Sequence, residues 1–537
     1  MSSFFINPSL RVEPGATSET PTLHGDEDVE LSPSDVPPRS EEAQHKSKVD
    51  GGDARRESVE SPDDDQDVLI IDWDGPDDPQ NPKNWSYKRK WAATAIVSAF
   101  TFISPVSSSM TAPASNQLAA QFHVTNSAQI ALMTSIFILA YAFGPLFLGP
   151  LSEIYGRSRV LQAANMWYLA WNLGCGFAQS KGQLYAFRLL AGFGGSAPLS
   201  IGGGVLGDCW RTEERGQAIA LYSLAPLLGP AIGPICGAWV AQRSTWRWVF
   251  WSTSIVDGAI QILGLFFLRE TYAPLLLHRK AEKIRLSMDP EKAQAREIRT
   301  VFDSADRNWK HIMRKALVRP FALFFREPII QLFGIYMAFV YGVMYLFLTT
   351  IPDIFANVYH EPVGISGLHY IALGIGFTGA SQVNARMLDR VYKYYQKKNG
   401  GIGRPEFRLP SMIPACIALP VGLLITGWAA EAHVHWAVVD LGIVFVGMGI
   451  ILNFQSIQTY VIDAFTLHAA SALAAVTFLR SLAGFGFPLF APAMYHALGY
   501  GKGDTILAAF AIAVGCPAPF LFWHFGERIR KASKYAS

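Results

Sequence analysis

The sequence predicts an all-α integral membrane protein of twelve transmembrane helices arranged as two pseudo-symmetric six-helix bundles. Three observations carry this prediction. Charges are nearly absent from a dozen segments of roughly 20 or more residues, the length a helix needs to cross hydrocarbon. Six of these precede, and six follow, a polar stretch from Arg269 to Glu327, as in transporters built from a duplicated half. Lysine and arginine collect in alternate loops, the pattern that fixes the orientation of a multi-pass chain.

Composition agrees. Of 537 residues, 50% are apolar and only 16% charged, with a mean hydropathy of +0.20, too apolar for an ordinary soluble protein. A net charge of +2, with no basic stripe interleaved with aromatics, argues against a nucleic-acid partner. Cys175, Cys209, Cys236, Cys416 and Cys516 are isolated in or beside apolar segments, so neither a disulfide framework nor a metal site is expected. No phosphate-binding glycine loop and no nucleophile–base spacing appears, which argues against an enzyme and against a bound cofactor. The first 20 residues lack an apolar core behind a basic start, so no cleaved signal peptide is expected.

Taken in order, residues 1–80 are rich in Asp, Glu, Ser, Pro and Gly, with acidic runs at Asp26–Asp28 and Asp63–Asp65, and read as a disordered cytosolic tail. Ser58 and Ser61 in that tail are candidate phosphorylation sites. Lys88, Arg89 and Lys90 abut the first span and mark the cytosolic side. Spans are expected near 91–113, 127–150, 160–178, 182–207, 216–240 and 247–268, then 328–352, 364–388, 409–429, 435–461, 469–497 and 504–525. The outer loops then hold about four basic residues, Lys181, Arg243, Arg247 and Lys502. The inner loops hold Arg157, Arg159, Arg211, Arg215, the basic linker, Arg390–Lys398 and Arg528–Lys534, which puts both termini in the cytosol. Asn84-Trp-Ser matches a glycosylation acceptor but falls inside, so it is expected to stay unmodified. Within the linker, Ile298, Val301, Phe302, Trp309, Ile312 and Met313 recur at helical spacing, predicting amphipathic helices rather than a flexible tether. The domain plan is therefore a tail at 1–80, a bundle at 81–268, the linker at 269–327, a bundle at 328–525 and a tail at 526–537.

The stretch Gly149–Leu161, GPLSEIYGRSRVL, organises the chain, because it joins two spans through a connection too short to be a domain. Its physical reading is an inner gate. Gly149 permits close packing, Glu153 is placed to pair with basic groups of a neighbouring hairpin, and Arg157 and Arg159 are within reach of Asp208 at the end of span 4. The alternative is packing at Gly149 and Gly156 plus basic-inside topology alone. The second half carries Asp389-Arg390 and Asp463 at corresponding positions. Arg188 lies two turns into span 4, at a depth where a charge needs a partner or a cavity; the alternative is a snorkelling anchor. Gly229, Gly233 and Gly237 recur every four residues on span 5, with Pro230 and Pro234 bending it beside that face, which suits a helix that rocks against the opposite half. Asp257 is the most central acid of the first half, a proton-exchange candidate unless Ser252 or Ser254 merely hydrogen-bonds it. Arg480 and Asp440 are further charges within spans. Tyr341 and Tyr345, with Gln331, Tyr336, Asn453, Gln455 and Gln458, form a candidate substrate surface of aromatic walls and amides; core packing is the competing reading.

The loop at 149–161, WRWVFW at Trp246–Trp251 and ETYAPLLLHRKA at Glu270–Ala281 together resemble the major facilitator superfamily, and within it the twelve-span fungal drug:proton antiporters, over residues 72–530. The resemblance implies the major facilitator fold, proton coupling through the arginine of span 4 and an antiporter motif in span 5. It implies a proton-coupled exporter of amphipathic organic compounds by alternating access. A narrower exporter, of a polyamine or one metabolite, and a non-transporting sensor of the same fold are the alternatives. The expected partners are the lipid bilayer, a small amphipathic substrate and protons. The chain is expected to be a monomer in the plasma membrane, with the vacuolar membrane as the other option.

Overall fold

In the computed structural model, residues 68–211, 214–288, 298–302 and 309–533 are described. The acidic runs, Ser58 and Ser61 lie outside them. Because hydrocarbon offers no partner to a free N–H or C=O, and the apolar segments are about twice the length of a barrel strand, they form helices. Spans 1–6 are Tyr87–Ser109, Ser127–Tyr155, Arg157–Gly176, Lys181–Gly195 with Ala197–Cys209, Arg215–Arg243 and Arg247–Phe267. Spans 7–10 are Pro328–Asn357, Tyr370–Lys398, Ile413–Glu431 and Trp436–Ala464. The last two run as Ala469–Phe510, folded back at Gly499 (φ 78°), and Pro517–Ala532. Ten of the helical segments among the described residues are long and apolar enough to cross a membrane, the last of them holding two passes. The remaining pass, span 3 (Arg157–Gly176), is less apolar; it carries Asn165 and Asn172 on its buried face, while Met166, Trp167 and Leu173 are exposed.

Local sequence sets the ends. Asn126 accepts hydrogen bonds from the N–H groups of Ala128 and Gln129 at 2.9 and 3.3 Å, capping span 2. Ser180 caps span 4 through the Gln183 N–H at 3.3 Å. Span 4 breaks at Ser196 because Pro198 has no N–H to continue the ladder. Around that break the glycines allow close approach. A Cβ on Gly192 would lie 2.3 Å from the Phe137 carbonyl oxygen, and one on Gly194 2.4 Å from that of Ala164.

The two bundles meet along span 2 against span 11 and span 5 against span 8, two interfaces exchanged by the internal pseudo-symmetry. Phe143 and Phe478 meet edge-on across the first, 5.6 Å apart. The second corrects the reading of span 5. Gly229, Gly233 and Gly237 face span 1 of their own bundle, where added Cβ atoms would lie 2.7 Å from Pro105, 2.6 Å from the Val106 oxygen and 2.1 Å from the Met110 oxygen. The opposite bundle is met instead by Ala231, Pro234 and Ala238, against Gly367 and Gly374. A repeat of four fixes a helical face but not its partner.

The linker is helical at Ala273–Ser287 and Trp309–Arg326, as its spacing predicts for Ile312 and Met313. Ile298 departs from this. It lies in a strand, β2 (Ile298–Thr300), paired in parallel with β1 (Leu69–Ile71), and Val301 and Phe302 follow it exposed. Residues 68–80 are therefore held rather than free. Lys280 Nζ donates to the Asp72 carbonyl at 2.9 Å and pairs with Asp74 at 2.6 Å. Burial pushes the Asp78 carboxyl up, but the N–H groups of Asp74 and Gln80 and the Lys280 ammonium outweigh it and hold the group below the usual carboxylate range. Asn84 spends its side chain on the Pro76 and Asp78 carbonyls at 2.7 and 3.1 Å. The carboxyl-terminal segment is also engaged, since Arg530 pairs with the buried Glu406 at 2.8 Å on a helix that runs to Ala532.

These contacts predict that Gly237→Ala lowers stability by about 1–3 kcal/mol through overpacking on Met110. Gly203→Ala, which would meet nothing within 4 Å, leaves it level or slightly raised. Thermal unfolding of both variants in detergent checks the pair, and equal midpoints would remove the span 1–span 5 constraint.

Candidate transport site

At the end of span 2 the chain reverses through Gly156, whose φ of 104° only glycine adopts without strain. An added Cβ would lie 2.2 Å from Glu270 Oε2. Glu270 explains the reversal. Its Oε1 accepts from the Arg157 N–H at 2.8 Å and from the Thr271 and Tyr272 N–H groups at 3.0 Å each, capping the start of span 3 with a negative charge. The sequence singled out Glu270 only as part of a family string; its role needed the fold.

Arg157 extends over span 4, its Nη1 donating to Ser152 Oγ at 2.8 Å and its Nε 3.5 Å from Asp208. The Tyr272 ring lies 4.9 Å from the guanidinium. Arg159 does not share this site; it is exposed on span 3. Glu153 is exposed and lines the central cavity, with no ion pair among the described residues. Gly149 makes no close packing, since an added Cβ would meet nothing within 4 Å. The second bundle repeats the clamp with a residue that the sequence reading missed. Arg408 reaches Asp463 at 2.9 Å and Asp389 at 3.1 Å, with the Tyr392 ring 4.3 Å away, while Arg390 is exposed. Both clamps lie within one bundle, so each braces its own hairpin in this conformation. A basic residue placed as a repeat of Arg157 was the available signal.

Arg188 is fully buried, which removes the snorkelling alternative. Its guanidinium donates to the carbonyls of Ser107, Ser108 and Thr134 at 3.4, 3.1 and 3.0 Å, and lies 5.0 Å from the Phe137 ring. The Ser107 and Ser108 carbonyls are free because they fall in the last turn of span 1, which ends at Ser109, while Thr134 offers its carbonyl from span 2. Asp257 is equally buried, but neither Ser252 nor Ser254 holds it. Asn165 Nδ2, on span 3, donates to both of its oxygens at 3.1 and 3.2 Å, while Ser254 accepts from Asn172.

Between the bundles lies a cavity of about 920 Å³ at the end bearing Gly149 and Arg157. Tyr141, Ser196, Ser200, Gln458, Thr477 and Arg480 line it, and Ile312, Ala316 and Arg319 of the linker helix cross its mouth. A smaller cavity of about 310 Å³, with Thr134, Asp353 and Tyr500 on its wall, lies at the other end. The layer between them is polar and closed. Ser104 and Tyr141 hydroxyls meet at 2.5 Å, and Ser108 meets Tyr345 across the bundles at 3.2 Å.

The candidate substrate residues divide accordingly. Gln458 lines the large cavity. Tyr341 stands beside Arg480, 5.0 Å from its guanidinium, and Tyr345 belongs to the closed layer. The others face elsewhere. Asn453 donates to the Tyr336 hydroxyl at 3.1 Å, both buried inside the second bundle. Gln455 ties Asn384 to Ser381 at 2.8 Å each, and Gln331 donates to the Phe325 carbonyl at 3.2 Å. Asp440 is also accounted for, by His369 at 2.8 Å, which meets Glu361 through its other nitrogen at 2.9 Å.

Two pseudo-symmetric helical bundles enclosing a cavity closed at mid-depth define a membrane transporter. Comparisons with known proteins agree. A family model described as the Major Facilitator Superfamily matches residues 97–488. The chain is 47% identical over 474 residues to a protein named efflux pump vrtL from Penicillium aethiopicum, covering 88% of this chain and 92% of that one. It is 40% identical over 521 residues to the MFS-type transporter penM of Penicillium rubens, covering 97% of each. In fold it is similar to a partially occluded inward-open structure of the xylose transporter XylE from E. coli, with a TM-score of 0.60 at 15% identity, over 82% of this chain and 98% of that one. The chain belongs to the Major Facilitator Superfamily. It is a multi-pass membrane transporter of small molecules, not an enzyme.

Glu270→Ala is expected to cost about 1–3 kcal/mol, because three N–H groups lose a charged acceptor. Glu270→Gln should lose less. Unfolding midpoints in detergent measure both, and an unshifted alanine variant would mean that the reversal at Gly156 does not depend on this cap.

Proposed function

We propose that the protein exports amphipathic organic compounds across the plasma membrane by proton antiport, with both termini in the cytosol. The observation that carries this is the 920 Å³ cavity, which lies at the end bearing the basic loops, above a closed layer at mid-depth. With the basic end cytosolic, the cavity faces the compartment from which an exporter loads. Relatives of this chain named efflux pumps include vrtL and the Floropilus chiversii protein radE, the latter 39% identical over 481 residues.

Rocking about the span 2–11 and span 5–8 interfaces closes the cytosolic mouth and opens the Ser108–Tyr345 layer outward. In that motion Glu153, with no ion pair among the described residues, and the braced hairpins around Arg157 and Arg408 are the inner gate, because they form the rim that must meet. Gly233 and Gly237 hold span 1 to span 5 as one unit. Arg188 ties spans 1, 2 and 4 at the closed layer, so a change in its hydrogen bonds alters all three together. Asp257, joined to span 3 through Asn165, is the proton-exchanging acid of this bundle. The substrate surface is Tyr341, Gln458 and the cavity wall around them.

The test is transport in sealed, inverted vesicles under an imposed acid-inside gradient, with a fluorescent amphipathic dye. Wild type should accumulate dye only with the gradient. Arg188→Ala and the milder Arg188→Lys should lose about ten-fold or more of that uptake at equal membrane level. Asp257→Asn keeps the shape of the Asn165 contact and should uncouple uptake from the gradient. Accumulation by wild type that ignores the gradient overturns proton antiport. Dye moving in the opposite direction overturns export.

A further inference from the structure

Arg480 has a role that none of the helical contacts explains. It lies eleven residues into the helix that begins at Ala469, roughly 16 Å along its axis at the α-helical rise, and it lines the central cavity. Among the described residues no carboxylate pairs with it. Its guanidinium rests between two aromatic faces, Tyr341 at 5.0 Å and Phe454 at 4.8 Å, and its Nε is buried with no hydrogen-bond partner. Cation–π contacts of this kind offset only part of the cost of holding a charge at such depth when it is not neutralised. Arg188 meets the same cost with three backbone carbonyls. Arg480 has donors left over, and they border the cavity.

We infer that Arg480 is the anion-recognition group of the transport cavity, and that the exported compounds are aromatic organic acids. A carboxylate or acidic phenolate takes the guanidinium fork, with the aromatic body against Tyr141 and Tyr341. The charge of the cavity supports this. Its described lining holds Arg157, Arg319 and Arg480 against a single carboxylate, Glu153. Glu153 lies twelve residues from Tyr141 along span 2, roughly 18 Å away at the helical rise, at the mouth beside Arg157. Among the described residues an amine substrate would find no acid near the roof, and a neutral one would give Arg480 no counter-charge. The volume of about 920 Å³ suits a drug-sized ligand.

The inference rests on the export reading above, and the experiment separates the two. Binding of 9-anthracenecarboxylate and of its methyl ester is measured on the full-length protein in detergent, and transport of both in inverted vesicles. Wild type should bind the acid about ten-fold or more tightly than the ester, as a charged hydrogen-bonded pair implies. Arg480→Gln should bring that ratio toward one, and Arg480→Lys should retain part of it. The inference falls if wild type binds the ester as well as the acid, if it binds no acid, or if Arg480→Gln weakens both ligands equally. Should the glutamine variant not fold, the lysine variant and the wild-type ratio decide. Arg480-dependent binding without gradient-driven uptake overturns export and leaves the anion site standing. Pumping of the ester with exclusion of the acid does the reverse.

Discussion

A backbone in hydrocarbon has to satisfy its own hydrogen bonds, and nearly every feature of this structure follows from where it does so imperfectly. The interruptions are few and each is used. Span 4 breaks at Ser196, beside the closed layer. Span 1 carries Pro105 and then a serine run whose carbonyls receive Arg188. The chain reverses at Gly156 and Gly499, both with positive φ. At each reversal a carboxylate faces the turn. Glu270 accepts the Arg157 N–H at one and Glu431 the Tyr500 N–H at the other, both at 2.8 Å. Carboxylates beyond the span they serve thus hold the tight hairpins.

The buried charges sort by what neutralises them. Arg157 and Arg408 have carboxylates and sit at the rim, where water reaches them. His369 has two acids and lies flat against Phe355, with ring centroids 3.5 Å apart, fastening span 10 to the connection that follows span 7. Among the described residues Arg188 has backbone carbonyls and the rings of Phe137 and Phe250, and Arg480 has ring faces alone. Moving inward, the partners weaken while the desolvation cost grows. A transporter uses this gradient well, because groups at the centre have to change partners in each cycle and groups at the rim have to hold hairpins rigid.

Pseudo-symmetry shows how one half teaches the other. Arg157 and Asp208 recur as Arg408 and Asp463, although the second loop has kept little of the first one's sequence, and the ring beside each cation comes from a different place, Tyr272 after span 6 and Tyr392 at the end of span 8. The geometry persists because a cation over an aromatic face, paired with the acid near the end of the following span, is a stable way to brace a short hairpin. The interfaces of spans 2–11 and 5–8 are likewise two versions of one contact.

Hydropathy and the positions of Gly, Pro and basic residues determined by themselves the twelve spans, the basic loops, the reversal at Gly156 and the proximity of Arg157 to Asp208. These are local or nearly local properties, set by the length of an apolar run and the reach of a side chain. The tertiary structure alone decided which residues share a cavity. Helical periodicity places Tyr336 and Tyr341 on defined faces of span 7, yet a residue is turned about 100° from the next, so the neighbouring helices decide which face meets the cavity and which meets Asn453. The same dependence hid Asn165 as the partner of Asp257, span 1 as the partner of the span 5 glycines, and the rings of Tyr341 and Phe454 as the partners of Arg480. Each involves residues far apart in sequence, brought together only when the bundle packs.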